Sequence, residues 1–125
     1  MHCLLIDDSA EVLDALRRLL ESEGLVVVAQ ATSGADGLRH AREFEPDVIL
    51  LDVDLGEENG FDVARLLSEA GVSSAVILIS AHPEYGEFAS STPAVGFLSK
   101  GALSRAAIES VLSRPGGDDA SAPPR

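Results

Sequence analysis

Five short apolar runs, at residues 3–6, 25–29, 48–51, 75–79 and 95–98, punctuate the chain, and each is followed by a segment of different character. The runs do not alternate apolar with polar residues. Unbroken apolar runs of that length read as strands covered on both faces. The segments between them carry helical spacing. In residues 10–23, Val12, Leu13, Leu16, Leu19 and Leu20 recur along one face, and Gly24 supplies a stop. Residues 34–43 read as a helix started by Ser33 or Thr32 and followed by Pro46, residues 61–69 as a helix ended before Gly71, and residues 103–112 as the last helix. Strand and helix therefore alternate along the chain, which predicts a parallel sheet sandwiched between helices. Right-handed crossovers make such a sheet doubly wound, with ligands bound at the carboxyl ends of its strands.

One segment fits this alternation poorly. Between the fourth and fifth strands, Gly86, Ser90-Ser91-Thr92 and Pro93 restrict helix formation, so only a short helix over 84–89 is expected. Residues 1–113 read as one domain, in keeping with a chain of 125 residues. Residues 114–125, RPGGDDASAPPR, have nothing to bury and read as a disordered tail. Aromatics are 4% of the chain, so Leu, Val, Ile and Ala must fill the core. Acids outnumber bases 21 to 9, for a net charge of −12, which disfavours direct nucleic-acid binding and an anionic membrane surface. It suits a cation and basic partners. The single cysteine, Cys3, excludes an internal disulfide and a cysteine zinc cluster. The opening apolar run stops at Asp7-Asp8, too short for a signal peptide or a membrane span, and a cytoplasmic location is expected.

Four of the five strands end in a residue with chemistry: Asp7-Asp8, Asp52, Ser80, and Ser99-Lys100. A parallel sheet places those ends on one edge. Taken singly, each has an ordinary explanation. Asp8 or Ser9 can cap the first helix, Asp52 can be a loop acid, Ser80 a turn residue and Lys100 a solvated surface lysine. Jointly they converge three carboxylates that repel one another and raise one another's pKa. A hard divalent cation such as Mg2+, which takes oxygen ligands, relieves that repulsion. A lysine beside it suits a transferred phosphoryl group.

The blocks LLIDDS, VILLDVDLGEENGFDVARLL, ILISAH and GFLSKG, in that order and spacing, resemble the receiver domain of two-component response regulators over residues 2–112. GFLSKG is closest in style to receivers of the NarL/LuxR-type regulators, which precede helix-turn-helix domains. The resemblance implies an α/β flavodoxin-like doubly wound (βα)5 parallel sheet of strand order 2-1-3-4-5. It implies that Asp52 takes a phosphoryl group from a histidine kinase or phosphotransfer protein, with slow self-dephosphorylation. Mg2+ would be held by Asp7, Asp8, Asp52 and the backbone carbonyl of Asp54. Ser80 and Lys100 would bind phosphoryl oxygens, and Ser80 with Phe97 would form the switch. A downstream protein, or a second copy, would meet the face built by the fourth helix, fifth strand and fifth helix. No helix-turn-helix follows the last helix within these residues, so direct DNA binding by this chain is not expected.

Several positions depart from the family pattern. Gly56 and Gly101 stand where many receivers have proline, which leaves the loop after Asp52 less constrained. Ser80 lacks the methyl of the commoner threonine, and Phe97 the hydroxyl of tyrosine. Asp54 and His82 occupy variable positions beside the site and are expected to tune dephosphorylation. Two other readings compete. Asp52-Val53-Asp54 also resembles the aspartyl motif of haloacid-dehalogenase-type phosphatases, although that motif belongs on a first strand. A receiver fold that only binds partners, without phosphorylation, is the other.

Overall fold

The computed structural model describes residues 1–114. Five strands alternate with five helices: β1 (His2–Ile6), α1 (Ala10–Ser22), β2 (Val26–Ala31), α2 (Gly34–Phe44), β3 (Val48–Asp52), α3 (Gly60–Glu69), β4 (Ala75–Ser80), α4 (Gly86–Ala89), β5 (Gly96–Ser99) and α5 (Arg105–Leu112). The strands form one parallel sheet of order β2-β1-β3-β4-β5, the flavodoxin-like doubly wound arrangement expected from the sequence. The residues expected in a tail from 114 onward fall, beyond Arg114, outside the described residues.

Alternate strand positions feed two cores. Cys3 and Leu5 of β1, Val48 and Leu50 of β3, and Ile77 and Ile79 of β4 pack on one face against α1 and α5. Leu4, Ile6, Ile49, Leu51, Val76 and Leu78 pack on the other against α2, α3 and α4. The central strands β1 and β3 are buried on both faces, which is why their sequences show no polar alternation.

Each long helix starts at a side-chain cap that accepts an otherwise unpaired backbone N–H. Ser9 Oγ accepts from Val12 at 3.2 Å, Ser33 Oγ from Asp36 at 3.2 Å, Asn59 Oδ1 from Phe61 at 2.7 Å and Ser104 Oγ from Ala107 at 3.0 Å. Of the two capping candidates for α1 it is Ser9, not Asp8, that does so, which leaves the Asp8 carboxylate free of that duty.

Three local features differ from expectation. The helix expected over 84–89 is a 3-10 turn, Pro83–Tyr85, running into the single helical turn α4. The last helix begins at Arg105 rather than 103, because Lys100–Ala102 form a 3-10 turn and Ser104 caps α5. The segment after β3 is a small antiparallel ladder, Asp54–Leu55 with Glu58–Asn59, turned by Gly56 at φ 75. Proline holds φ near −65°, so it cannot replace Gly56 in this turn.

Gly60 has no room to vary. A Cβ there would overlap the Asp52 carbonyl oxygen and lie 2.7 Å from Val53 Cα, both backbone atoms that cannot step aside. Gly60 thus lets α3 start directly against the end of β3. Gly60→Ala is expected to destabilise the fold by about 3 kcal/mol, the upper range for overpacking. Urea unfolding of the two proteins reads this as a lower midpoint at unchanged slope.

Candidate functional site

The carboxyl edge of the sheet gathers the polar strand ends. Asp7 follows β1, and its N–H is held by the Ala31 carbonyl of β2 at 3.1 Å. Asp52 closes β3 in register with Ile79 of β4. Ser80 closes β4 opposite Ser99, the last residue of β5, and Lys100 comes next. All five residues expected to converge, Asp7, Asp8, Asp52, Ser80 and Lys100, line one cleft of ≈ 190 Å³, with Asp54 and His82 also on its wall.

Within the cleft the charges are unequal. Lys100 Nζ lies 2.7 Å from Asp7 Oδ2 and 3.2 Å from Asp52 Oδ2. Asp7 and Asp52 are buried, and Asp8 is exposed beside them. Carboxylate oxygens of the three aspartates lie within 4.8 Å of one another, against one ammonium. Burial raises the Asp52 carboxyl to about 6, and the neighbouring Asp7 charge adds to it; Lys100 and the Asp54 N–H oppose the shift. Burial alone would lower the Lys100 ammonium, but its close contact with Asp7 and the charges of Asp52 and Asp7 outweigh that and hold it above the usual lysine value.

Backbone N–H groups fix the two buried acids. Ser9 N–H donates to Asp7 Oδ1 at 3.0 Å and Asp54 N–H to Asp52 Oδ1 at 3.3 Å. Asp7 Oδ2 is buried and, although close to Lys100, receives no aligned hydrogen bond. An oxygen in that condition, among three clustered carboxylates, fits a hard oxygen-preferring cation such as Mg2+. Ser80 is buried, and its Oγ accepts the His82 N–H at 2.9 Å. A hydroxyl engaged as an acceptor keeps its own O–H to donate.

Phe97 lies outside this cleft. It pairs with Leu78, two residues before Ser80 on the neighbouring strand, and packs partly buried against the core under α4. Gly86 opens α4 beneath the ring, where a Cβ would be 3.1 Å from Phe97 Cδ2. Asp54 enters the site through its backbone, while its side chain is on the exposed rim. His82 is exposed there too, its Nδ1 3.9 Å from Glu84 Oε2. Two residues were not anticipated. Gly60 abuts the Asp52 carbonyl, and Glu58 binds the N–H of Gly34 at 2.9 Å. A glycine opening a helix hinted at the first; no local pattern marks the second, whose partner is 24 residues away.

Known proteins agree with this geometry. The model of the response regulator receiver domain matches residues 3–112. The DNA-binding transcriptional activator EvgA of Escherichia coli (strain K12) is 30% identical over 102 residues, 80% of this chain and 50% of EvgA. The chain thus spans about half the length of the curated relatives it matches. A two-component response regulator of the LuxR family from Aurantimonas sp. SI85-9A1 superimposes with a TM-score of 0.80 at 25% identity, covering 96% of this chain and 92% of that one. The signal receiver domain of the response regulator NarL from Mycobacterium tuberculosis gives 0.77 at 29% identity, covering 90% and 97%.

The crowded charges have a stability consequence. The folded-state pKa of Asp52 is about 6, above the ordinary value of 3.8. Between those values the folded state binds more protons than the unfolded chain, so this group's contribution to stability falls as pH rises across the window and is level above it. Without divalent cations, Asp52→Asn should therefore stabilise the protein by about 1–2 kcal/mol at pH 7.5. The gain should shrink towards zero as the pH is lowered to about 4. Urea titrations of both proteins in chelator, at several pH values, measure it.

Proposed function

The chain belongs to the response regulator receiver domain family, and we propose that it works as a phosphoacceptor switch with Asp52 as the phosphorylated residue. The observation that carries this reading is Lys100 Nζ bridging Asp7 and Asp52, with Asp8 and Ser80 at the same edge. A carboxyl with a pKa of about 6 is still mainly ionised at neutral pH and can act as a nucleophile. The donor would be a phosphohistidine on a histidine kinase or phosphotransfer protein. An Asp52 oxygen attacks phosphorus, the phosphorus–nitrogen bond breaks, and the imidazole leaves and takes a proton. Such transfers need positioning and charge neutralisation more than covalent assistance.

The chain's residues divide that work. Asp7, Asp8, Asp52 and the Asp54 backbone carbonyl would hold Mg2+, which when bound neutralises phosphoryl charge. Lys100, already within reach of Asp52, exchanges a carboxylate partner for a phosphoryl oxygen. Ser80 donates its O–H to another. The product is an acyl phosphate, so water removes it slowly, and Asp54 and His82 on the rim tune that rate.

The switch follows from Ser80. Drawing its hydroxyl towards the phosphoryl group removes it from the His82 N–H and frees volume on the side of the sheet where Phe97 packs. Phe97 then turns inward, and the face of α4, β5 and α5 changes shape for a protein partner or a second copy. This is a local charge event biasing a two-state element. The net charge of −12 argues that the chain itself does not grip nucleic acid or an anionic membrane. Among the described residues no helix is long and apolar enough to cross a membrane. The cytoplasm is the location this reading assigns, with residues 1–113 as the receiver unit.

Intact mass after incubation with acetyl phosphate and Mg2+ tests the reading. Wild type should gain one phosphoryl group, and chelator should prevent it. Asp52→Asn should gain none, and Lys100→Ala should label on the order of a hundredfold more slowly. Equal labelling of Asp52→Asn would remove the central residue from the scheme. With beryllofluoride and Mg2+, the ring resonances of Phe97 and the amides of α4 should shift together; unchanged spectra there would remove the switch.

A further inference from the structure

The ladder that follows Asp52 is held in an unexpected way. Its inner strand, Asp54–Leu55, is fixed by the buried Leu55 side chain and by the Asp54 N–H on Asp52. Its outer strand, Glu58–Asn59, is exposed, and the connecting turn contains a glycine at positive φ. Among the described residues, one side-chain hydrogen bond ties residues 55–58 to a separate element. Glu58 Oε1 accepts the N–H of Gly34, the first residue of α2, at 2.9 Å.

The receiving position is shaped for that carboxylate. Gly34 is buried, and a Cβ there would lie 2.8 Å from Glu58 Oε2 and 2.8 Å from Val63 Cγ2. Glycine lets the carboxylate close onto the backbone, where the unpaired N–H groups and the helix dipole favour a negative charge. Ser33 Oγ already serves Asp36 N–H at the same helix start, so Glu58 takes a different N–H. In the ladder, Leu55 is opposite Glu58 and Asp54 is opposite Asn59. A pull on Glu58 is therefore transmitted through the ladder to the Asp54 backbone. Gly56, in the same turn, lies against Asp8, where a Cβ would be 3.2 Å from Asp8 Oδ2.

We propose that Glu58 is a positioning residue for the divalent cation: by binding the N–H of Gly34 it anchors the Asp54–Asn59 ladder to α2, so that the Asp54 backbone and the Asp8 carboxylate are preset around Asp52. This rests on the reading of the Asp7–Asp8–Asp52 cluster as a Mg2+ site. Glu58 does not join the cation's ligands; it removes freedom from the loop that follows β3. It takes over the restraint that proline would provide at Gly56, which the positive φ there forbids. Groups that orient metal ligands commonly govern affinity as strongly as this.

Calorimetric titration of Mg2+ into the full chain, at fixed pH and ionic strength, tests it with four variants, Asp52→Asn serving as the control for the cation site. Glu58→Ala should weaken Mg2+ binding about tenfold. Glu58→Gln keeps an oxygen that accepts the Gly34 N–H, and should stay within about threefold of wild type, the size of a screened surface charge. Ser33→Ala removes the other cap of α2 without touching the ladder, and should leave Mg2+ affinity unchanged. In metal-free protein, amide exchange at Gly34 should accelerate in Glu58→Ala and not in Glu58→Gln. Wild-type affinity in Glu58→Ala overturns the proposal, as does Glu58→Gln as weak as Glu58→Ala, which would make charge alone the cause. Equal weakening by Ser33→Ala overturns it by assigning the effect to helix stability. Wild type that binds no Mg2+ overturns the cation site and this proposal together, whereas binding lost only in Asp52→Asn leaves the site standing without Glu58.

Discussion

Lys100 Nζ stands 2.7 Å from one buried carboxylate and 3.2 Å from another, and its single positive charge must serve both, with Asp8 close by. Removing carboxylates from water is costly, and it costs more when they face each other. That imbalance opposes folding, and the raised pKa of Asp52 is its signature. The same imbalance makes the cleft receptive to further positive charge. The site is thus a local electrostatic imbalance carried by an apolar sheet.

The sheet carries it because its two central strands are covered on both faces. Leu4, Leu5, Ile6, Ile49, Leu50 and Leu51 are wholly buried, so Asp7 and Asp52 are held at the end of rigid, dry strands. Lys100 arrives from β5, four elements and 48 residues away, by parallel register alone. The elements at the β5 edge of this frame are shorter and less buried. α4 is a single turn preceded by a 3-10 turn, and β5 is partly exposed along its length. These weakly packed elements lie where Phe97 meets Gly86, which is where a small displacement of Ser80 would be felt.

Most of the frame was legible in the sequence because burial on both faces writes itself as an unbroken apolar run. The runs at 3–6 and 48–51 mark strands that extend by only one residue in the structure, to His2–Ile6 and Val48–Asp52. The gathering of Asp7, Asp8, Asp52, Ser80 and Lys100 was legible too, since parallel strands must end on one edge. What escaped was set by contact rather than period. The ladder at Asp54–Asn59 depends on a glycine at positive φ, and the Glu58 link depends on a helix start far away in sequence. The start of α5 was misplaced because Leu103 looks helical but is drawn into the core by the turn before it.

The proposed switch requires the acyl phosphate to form at Asp52 rather than at either neighbouring aspartate. Borohydride reduces an acyl phosphate to an alcohol, so an aspartyl phosphate becomes homoserine and is locked in place. Treatment of the phosphodonor-exposed protein, followed by peptide sequencing in the mass spectrometer, locates that residue. Homoserine is expected at position 52 alone. Homoserine at position 7 or 8, or at none of the three, would contradict phosphorylation at Asp52.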